Sequence, residues 1–472
     1  MSARSTDSDG QGRQRVGDTA IVLGASMAGL CAARVLADRF ERVVVLERDI
    51  LPDGPQPRRL VPQGRHPHLL LVAGARLLDS WFPGLMSELH RSGAVDLDLC
   101  RDFHWHQAGA VQRRPVSRLR GPAMSRPLLE WTVRRRVTAL PNVEIRDDTT
   151  VSSLISDPTR ERITGVRVGD EHVPGDLVVD ATGRAARTVG WLRDLGYPEP
   201  RTSVVEVDTR YVSRVYRRTD DPSRDWQAAA IIGDPDTKRL AMLLPAENDT
   251  WIVLVAGING EAPPTDATEL LEYAHTFESS VIADVMTTCG ALSEPVTHRF
   301  PANQRRHLES LRRFPTGWVL LGDAVCSFNP IYGQGMTSAA QQAEALGTAL
   351  DRAGAVSRPF ARTYFRAAGR IVGVPWSIAV GGDFAYERTS GKKPLATDLL
   401  NHYMDRAIKA GQCDDHVVIR LNEVISLVRS PQSLMSPSFA LRVLRKARQA
   451  DRRAQIDALG PRGSRFAEPS AG

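Results

Sequence analysis

The segment Gly24-Ala-Ser-Met-Ala-Gly29 constrains this chain more than any other. An apolar run, Thr19–Leu23, precedes it. Helical spacing of Leu30, Ala33, Val35 and Leu36 follows it within Leu30–Phe40, and a second apolar run, Val43–Leu46, ends at Glu47. Strand, glycine turn, helix and strand make a βαβ unit whose strands are buried on both faces. Gly24 permits the tight turn and Gly29 lets helix and strand approach closely; Ser26 stands where a third glycine is common. The helix N-terminus, with Ser26, Met27 and Ala28 in its first turn, offers free N–H groups and a positive dipole to a pyrophosphate. Glu47 lies 23 residues past Gly24. A carboxylate there accepts from ribose hydroxyls and disfavours a 2′-phosphate. The expectation is a dinucleotide site.

A second segment says which dinucleotide. Gly322-Asp-Ala-Val-Cys-Ser-Phe-Asn-Pro-Ile-Tyr-Gly-Gln-Gly-Met336 follows the apolar run Val319–Leu321. Gly333 and Gly335 let backbone approach a flat ring, and a helix starting near Met336 points its dipole at the ring edge that gains negative charge on reduction. The segment resembles the G-D motif of flavin-dependent monooxygenases. That resemblance implies FAD, gives Asp323 a hydrogen bond to the ribityl chain, and places Pro330, Gly333, Gly335 and Met336 along the cofactor. Asp176–Arg184 resembles the strand and A-T-G turn of the same family, bringing Ala181 and Gly183 to the cofactor, although the D-G dipeptide of the aromatic hydroxylases is replaced. In S-R-P-L-L-E-W-T-V-R, Arg126 matches a flavin-contacting arginine. Val151 matches the position whose backbone holds adenine, Arg58 an arginine after the second strand, and Arg48 adjoins Glu47 in the same candidate site.

There is no second G-x-G-x-x-G, no C-x-x-C and no W-x-W-x-I-P, which argues against two-dinucleotide disulfide reductases and tryptophan-type halogenases. The stretches E-R-D-I-L-P, P-R-R-L-V-P-Q-G-R-H-P-H, S-R-P-L-L-E-W-T-V-R, D-A-T-G-R and G-D-A-V-C-S-F-N-P-I-Y-G-Q-G-M resemble the bacterial flavin-dependent epoxidases of polyether ionophore biosynthesis, relatives of squalene epoxidase. The resemblance spans 18–350 well and 376–394 and 417–437 loosely. It implies an α/β fold: a Rossmann-like FAD-binding domain of the glutathione-reductase type, an interleaved antiparallel-sheet substrate domain and a helical C-terminal region. The implied reaction is epoxidation of a polyene through a flavin C4a-hydroperoxide. It uses O2 and NAD(P)H, the latter acting directly or through a separate flavin reductase. The flavin carries that chemistry, so no catalytic side chain is assigned. A hydroxylase of another natural product, a flavin-dependent isoprenoid double-bond reductase and a non-catalytic flavoprotein remain the alternatives. The substrate, free or carrier-bound, needs an apolar trough, for which Tyr211, Met242, Trp376, Phe384 and Tyr386 are the candidates.

Organisation follows from the motif positions. The flavin domain is expected from 18–84, 122–200 and 296–352. The substrate sheet takes 85–121 and 201–295, where alternating segments are separated by Pro, Asp and Gly turns. Residues 353–460 read as helical, and 1–17 and 461–472 as disordered tails. The net charge of +6 does not point to nucleic acid: only five of the 61 basic residues are lysine, and the arginines are dispersed rather than striped. Arg442–Arg453 reads as a solvated helix face, with docking to an acidic carrier protein or a membrane as the alternative. His66/His68 and His104/His106 alternate like ligands, but no third ligand has matching spacing, so no metal is expected. No run approaches 18 apolar residues and 1–17 lacks an apolar core, which leads to the expectation of a cytoplasmic protein without a membrane anchor. Five scattered cysteines fit a reducing compartment.

Overall fold

The structure, a computed structural model, describes residues 15–233 and 235–458. The expected tails lie outside the described residues, apart from 15–17, where Gly17 already begins the first strand.

The chain builds a five-stranded parallel sheet in the order Trp318–Leu320, Leu177–Asp180, Gly17–Leu23, Phe40–Leu46, Val143–Arg146. Its central strands are apolar and buried over Ala20–Leu23, Val43–Leu46 and Leu177–Val179, as a sheet covered on both faces requires. Helix Met27–Ala37 crosses between the first two strands, and Gly335–Ala353 packs against it. A small antiparallel sheet, Val151–Ser156, Ile163–Val168 and Glu171–Pro174, flanks this unit.

The second body is a nine-stranded mixed sheet. Its spine is the 16-residue strand Thr202–Arg217, paired antiparallel with Thr250–Gly257 on one side and Val296–Arg306 on the other. Two of its strands, Phe103–Gln107 and Ala228–Ile232, run parallel. Alternation sorts the sheet into two faces. Val212, Tyr216, Ala229, Ile231, Leu243, Trp251 and Val253 pack beneath helices Ala267–His275 and Val281–Thr288. Tyr211, Leu240, Leu254, Ala256 and Phe300 form the opposite, inner face.

Two domain limits are corrected. Residues 296–306, expected in the flavin unit, form a strand of the large sheet, pairing antiparallel along the edge of the spine that Thr250–Gly257 leaves free. Within 85–121, expected in the substrate sheet, helix Leu85–Arg91 packs on the core of the parallel-sheet unit. Val95–Asp98 and Arg120–Met124 pair in a separate three-stranded sheet. The C-terminal region is helical as expected. It contains Arg358–Asp383, with Pro375 inside it, followed by Thr397–Gly411, Asp415–Ile425 and Pro437–Ala458. No helix among the described residues is long and apolar enough to cross a membrane.

Candidate cofactor site

Strands Gly17–Leu23, Phe40–Leu46, Leu177–Asp180 and Trp318–Leu320 run parallel, so the loops that leave their C-terminal ends meet at one edge of the sheet. Glycine makes that meeting possible. Gly24 sits at φ +98°, and a Cβ there would lie 2.9 Å from Ala181 O. A Cβ on Gly29 would overlap Gly24 O, so the helix can start this close to the strand only without one. Gly322, at φ +69°, lets the third loop approach until an added Cβ would be 2.7 Å from Ala28 Cβ. Three segments distant in sequence are thereby brought together: 24–29, 181–183 and 322–335. Ser26 is the N-cap residue of the first helix, Met27 its buried first residue, and Ala28 is half-buried.

Glu47 follows the second strand and is buried at 6% exposure. Its Oε2 accepts from Ala25 N–H (2.7 Å) and its Oε1 from Asp49 N–H (2.9 Å), so the carboxylate braces the glycine turn from beneath. Arg58, 7% exposed, comes from the loop after that strand. It pairs with Glu47 (2.7 Å), Glu130 (2.8 Å) and Asp49 (3.5 Å), and Nη1 donates to Ser26 Oγ (3.1 Å). Burial alone would pull this guanidinium down; Glu130 and Glu47 outweigh it and the net direction is up. Arg126 opens helix Arg126–Thr138, capped by Ser125 Oγ accepting from Leu128 N–H (3.2 Å). It pairs with Glu130 Oε2 (3.1 Å), one helical turn on. Arg48, by contrast, is exposed.

Asp323 shows which way the site faces. Its side chain is exposed, yet desolvation raises its carboxyl above the ordinary value, with Arg126 and Arg184 pulling it back. His68 shares that surrounding: burial first, then the Arg126 charge, push its ring down to about 3, so it is neutral at ordinary pH. Around the same edge, Gly183 (φ +79°), Gly333 (φ +67°) and Gly335 aim their missing Cβ positions into open space. Pro330 is exposed, Met336 is buried in the first turn of the next helix, and Val151 starts the flanking sheet, half-buried against the core.

Of the candidate substrate residues, Tyr211 belongs to the inner-face cluster, and Met242 and Tyr386 pack against it. Ile331 of the cofactor-side loop packs there too, so site and sheet adjoin. Trp376 and Phe384 do not join this cluster. Trp376 continues the helix face of Ala368, Val372 and Ala379 and packs on the parallel-sheet core, while Phe384 lies under Lys393 Nζ at 5.9 Å. The paired histidines do not converge as ligands. His66 Nδ1 bonds Ser213 Oγ at 2.8 Å, His104 lies by the Trp226 ring and His106 faces Glu278. Sequence reasoning missed Asp49, Glu130 and Arg184. The last two carry a visible signal: Glu130 stands four residues after Arg126, and Arg184 directly follows the A-T-G turn.

No family model matches the chain. Protein Rv3254 of Mycobacterium tuberculosis is 35% identical over 397 residues, covering 79% of this chain and 82% of that protein. The chain belongs to the Rv3254 family. Several solved structures share the fold of this chain. PqsL, a probable FAD-dependent monooxygenase from Pseudomonas aeruginosa, aligns with TM-score 0.57 at 21% identity over 78% of this chain and 97% of that one. The p-nitrophenol 4-monooxygenase PnpA from Pseudomonas putida DLL-E4 aligns with 0.61 at 18%, over 87% and 99%. A flavoprotein/dehydrogenase from Cytophaga hutchinsonii aligns with 0.63 at 14%, over 93% and 100%. This member of the Rv3254 family thus has the α/β fold of FAD-dependent monooxygenase structures, with its large sheet and C-terminal helices in place.

Proposed function

We propose that the chain is an FAD-dependent monooxygenase that adds one oxygen atom of O2 to an alkene of an apolar polyene. The observation that carries this reading is the meeting of three glycine turns at the C-terminal edge of the parallel sheet, with open space at Gly183, Gly333 and Gly335 and Asp323 facing it. The donor set fits FAD. The first turn of Met27–Ala37 would hold the pyrophosphate, with Arg58 beside it through Ser26, and Glu47 and Val151 would hold the adenosine end. Asp323 would bond the ribityl chain, and the 333–336 backbone would meet the ring.

Bound and reduced, FAD supplies electrons and activated oxygen to the substrate. The balance is alkene, O2, NAD(P)H and a proton giving epoxide, water and NAD(P)+; the reductant acts directly or through a separate flavin reductase. The chain's own part is to hold the alkene and keep water away. The inner face built from Tyr211, Leu240, Leu254 and Phe300, with Met242 and Ile331 at its margin, is a buried apolar cluster beside the cofactor-side loop, and the alkene would lie against it. Reconstitution with FAD, NAD(P)H, 18O2 and a polyene panel, offered as free acids and as thioesters, tests this reading. One 18O atom per turnover in an epoxide is the expected product. A labelled alcohol would move the assignment to a hydroxylase. Alkene reduction without O2, or failure to bind FAD, would overturn it.

A further inference from the structure

Asp383 ends helix Arg358–Asp383 and is fully buried. Its oxygens take three hydrogen bonds. Asn303 Nδ2 donates to Oδ2 (2.7 Å), while Asn329 Nδ2 (3.1 Å) and the Tyr332 hydroxyl (3.2 Å) donate to Oδ1. Asn329 reaches further: its N–H donates to Asn303 Oδ1 (2.7 Å), its Nδ2 to Thr209 Oγ1 (3.2 Å), and its Oδ1 accepts from Tyr211 (2.6 Å). One carboxylate therefore ties together a C-terminal helix, two strands of the large sheet and the loop that carries Gly333 and Gly335. Gly382 is part of the arrangement, since a Cβ there would overlap the Tyr332 hydroxyl.

The groups facing this carboxylate are two amides and two phenols, Tyr332 from the loop and Tyr211 from the sheet. Among the described residues no cation pairs with it. Burial holds both phenols neutral, with the Asp383 charge adding to the effect. Desolvation raises the Asp383 carboxyl to about 6, against the three hydrogen bonds that lower it. Protonation changes what the network can satisfy. Asn303 Nδ2 and Asn329 Nδ2 are already donors, so a new O–H on Asp383 finds an acceptor only if the Tyr332 hydroxyl turns its own proton away.

We propose that Asp383, with Tyr332 fitted over Gly382, is a positioning residue that sets the 329–335 loop through its ionisation state, making cofactor affinity depend on a carboxyl outside the cofactor site. This rests on the FAD reading above. Two measurements on the full chain keep the two apart. The first is FAD dissociation by flavin fluorescence from pH 5 to 8. Wild type should change about fivefold or more, with a midpoint near the Asp383 ionisation; Asp383→Asn should change less than about twofold. Tyr332→Phe, which keeps the ring, should blunt the transition, and Gly382→Ala should weaken FAD at every pH. The second needs no flavin: the difference in thermal midpoint between wild type and Asp383→Asn should vary between pH 4 and 6 and be constant above pH 7. If no FAD binds at any pH, the cofactor reading has failed and the thermal profile decides this one. Parallel wild-type and Asp383→Asn profiles, in fluorescence where FAD binds or in the thermal midpoint, would overturn it.

Discussion

At the scale of single residues, glycines at the site separate architecture from ligand space. Gly29 cannot carry a Cβ without displacing Gly24 O, whereas Gly335 has nothing within 4 Å of the added atom. Gly335→Ala is therefore expected to leave urea-monitored stability unchanged or raised by about 0.5 kcal/mol, as for other unstrained helical glycines. The same substitution should weaken FAD about tenfold, read by equilibrium fluorescence titration. Gly29→Ala should lose both fold and flavin. The ion-pair cluster gives a second expectation. Glu130 holds Arg58 and Arg126 on its two oxygens, with every side chain about 10% exposed or less. Glu130→Gln removes the carboxylate paired with Arg126 and one of the three paired with Arg58, and should cost about 3 kcal/mol of unfolding free energy. Glu47 is legible in the sequence because strand, helix and strand lengths fix its distance from the turn. The Arg58 partners are not, because 51–68 has no periodicity to say where a loop arginine lands.

At the scale of elements, hydrophobic period finds the parallel strands and the helix after Ser125. Ser125 Oγ caps that helix, its N–H donates to Glu247 Oε2 (2.9 Å), and its hydroxyl also donates to Glu247. Ser125→Ala removes a cap and a tie to the large sheet, and should cost about 1–2 kcal/mol. Since Arg126 is the next residue, the same variant should also weaken FAD, which a titration would show. Helices Ala267–His275 and Val281–Thr288 escape a reading based on sheet alternation. The turns on either side are rich in Pro, Asp and Gly, and the need to cover an apolar sheet face appears only once the sheet exists. Strand Val296–Arg306 escapes for a related reason: its run V-T-H-R-F-P-A-N-Q-R-R is largely polar, and its partner lies almost a hundred residues earlier.

At the scale of the whole molecule, buried ionisable groups set opposing pH slopes. Burial pushes His66 to about 4 and His68 to about 3, so their neutral rings contribute stability that is present above about pH 6.5 and lost as pH falls through those values. Asp383, raised to about 6, contributes in the other direction: its share is full below about pH 4 and is lost as pH rises through 6. Asp383→Asn should therefore steepen the loss of stability between pH 6 and 4 by about 2–3 kcal/mol, measured by urea unfolding at several pH values. The discontinuous parallel-sheet unit is legible in the spacing of its glycine turns, while its exact seams depend on pairings no local pattern carries. That discontinuity bears on biosynthesis. The first strand finds its inner neighbour only at Leu177–Asp180, and that neighbour finds Trp318–Leu320 later still. At about 5–20 residues per second, the ribosome needs roughly 15–60 s between making the first glycine turn and the loop that must close over it. Through that interval a growing chain carries an apolar strand edge with no partner, so its yield in cells depends on chaperone supply as much as on the stability of the finished fold.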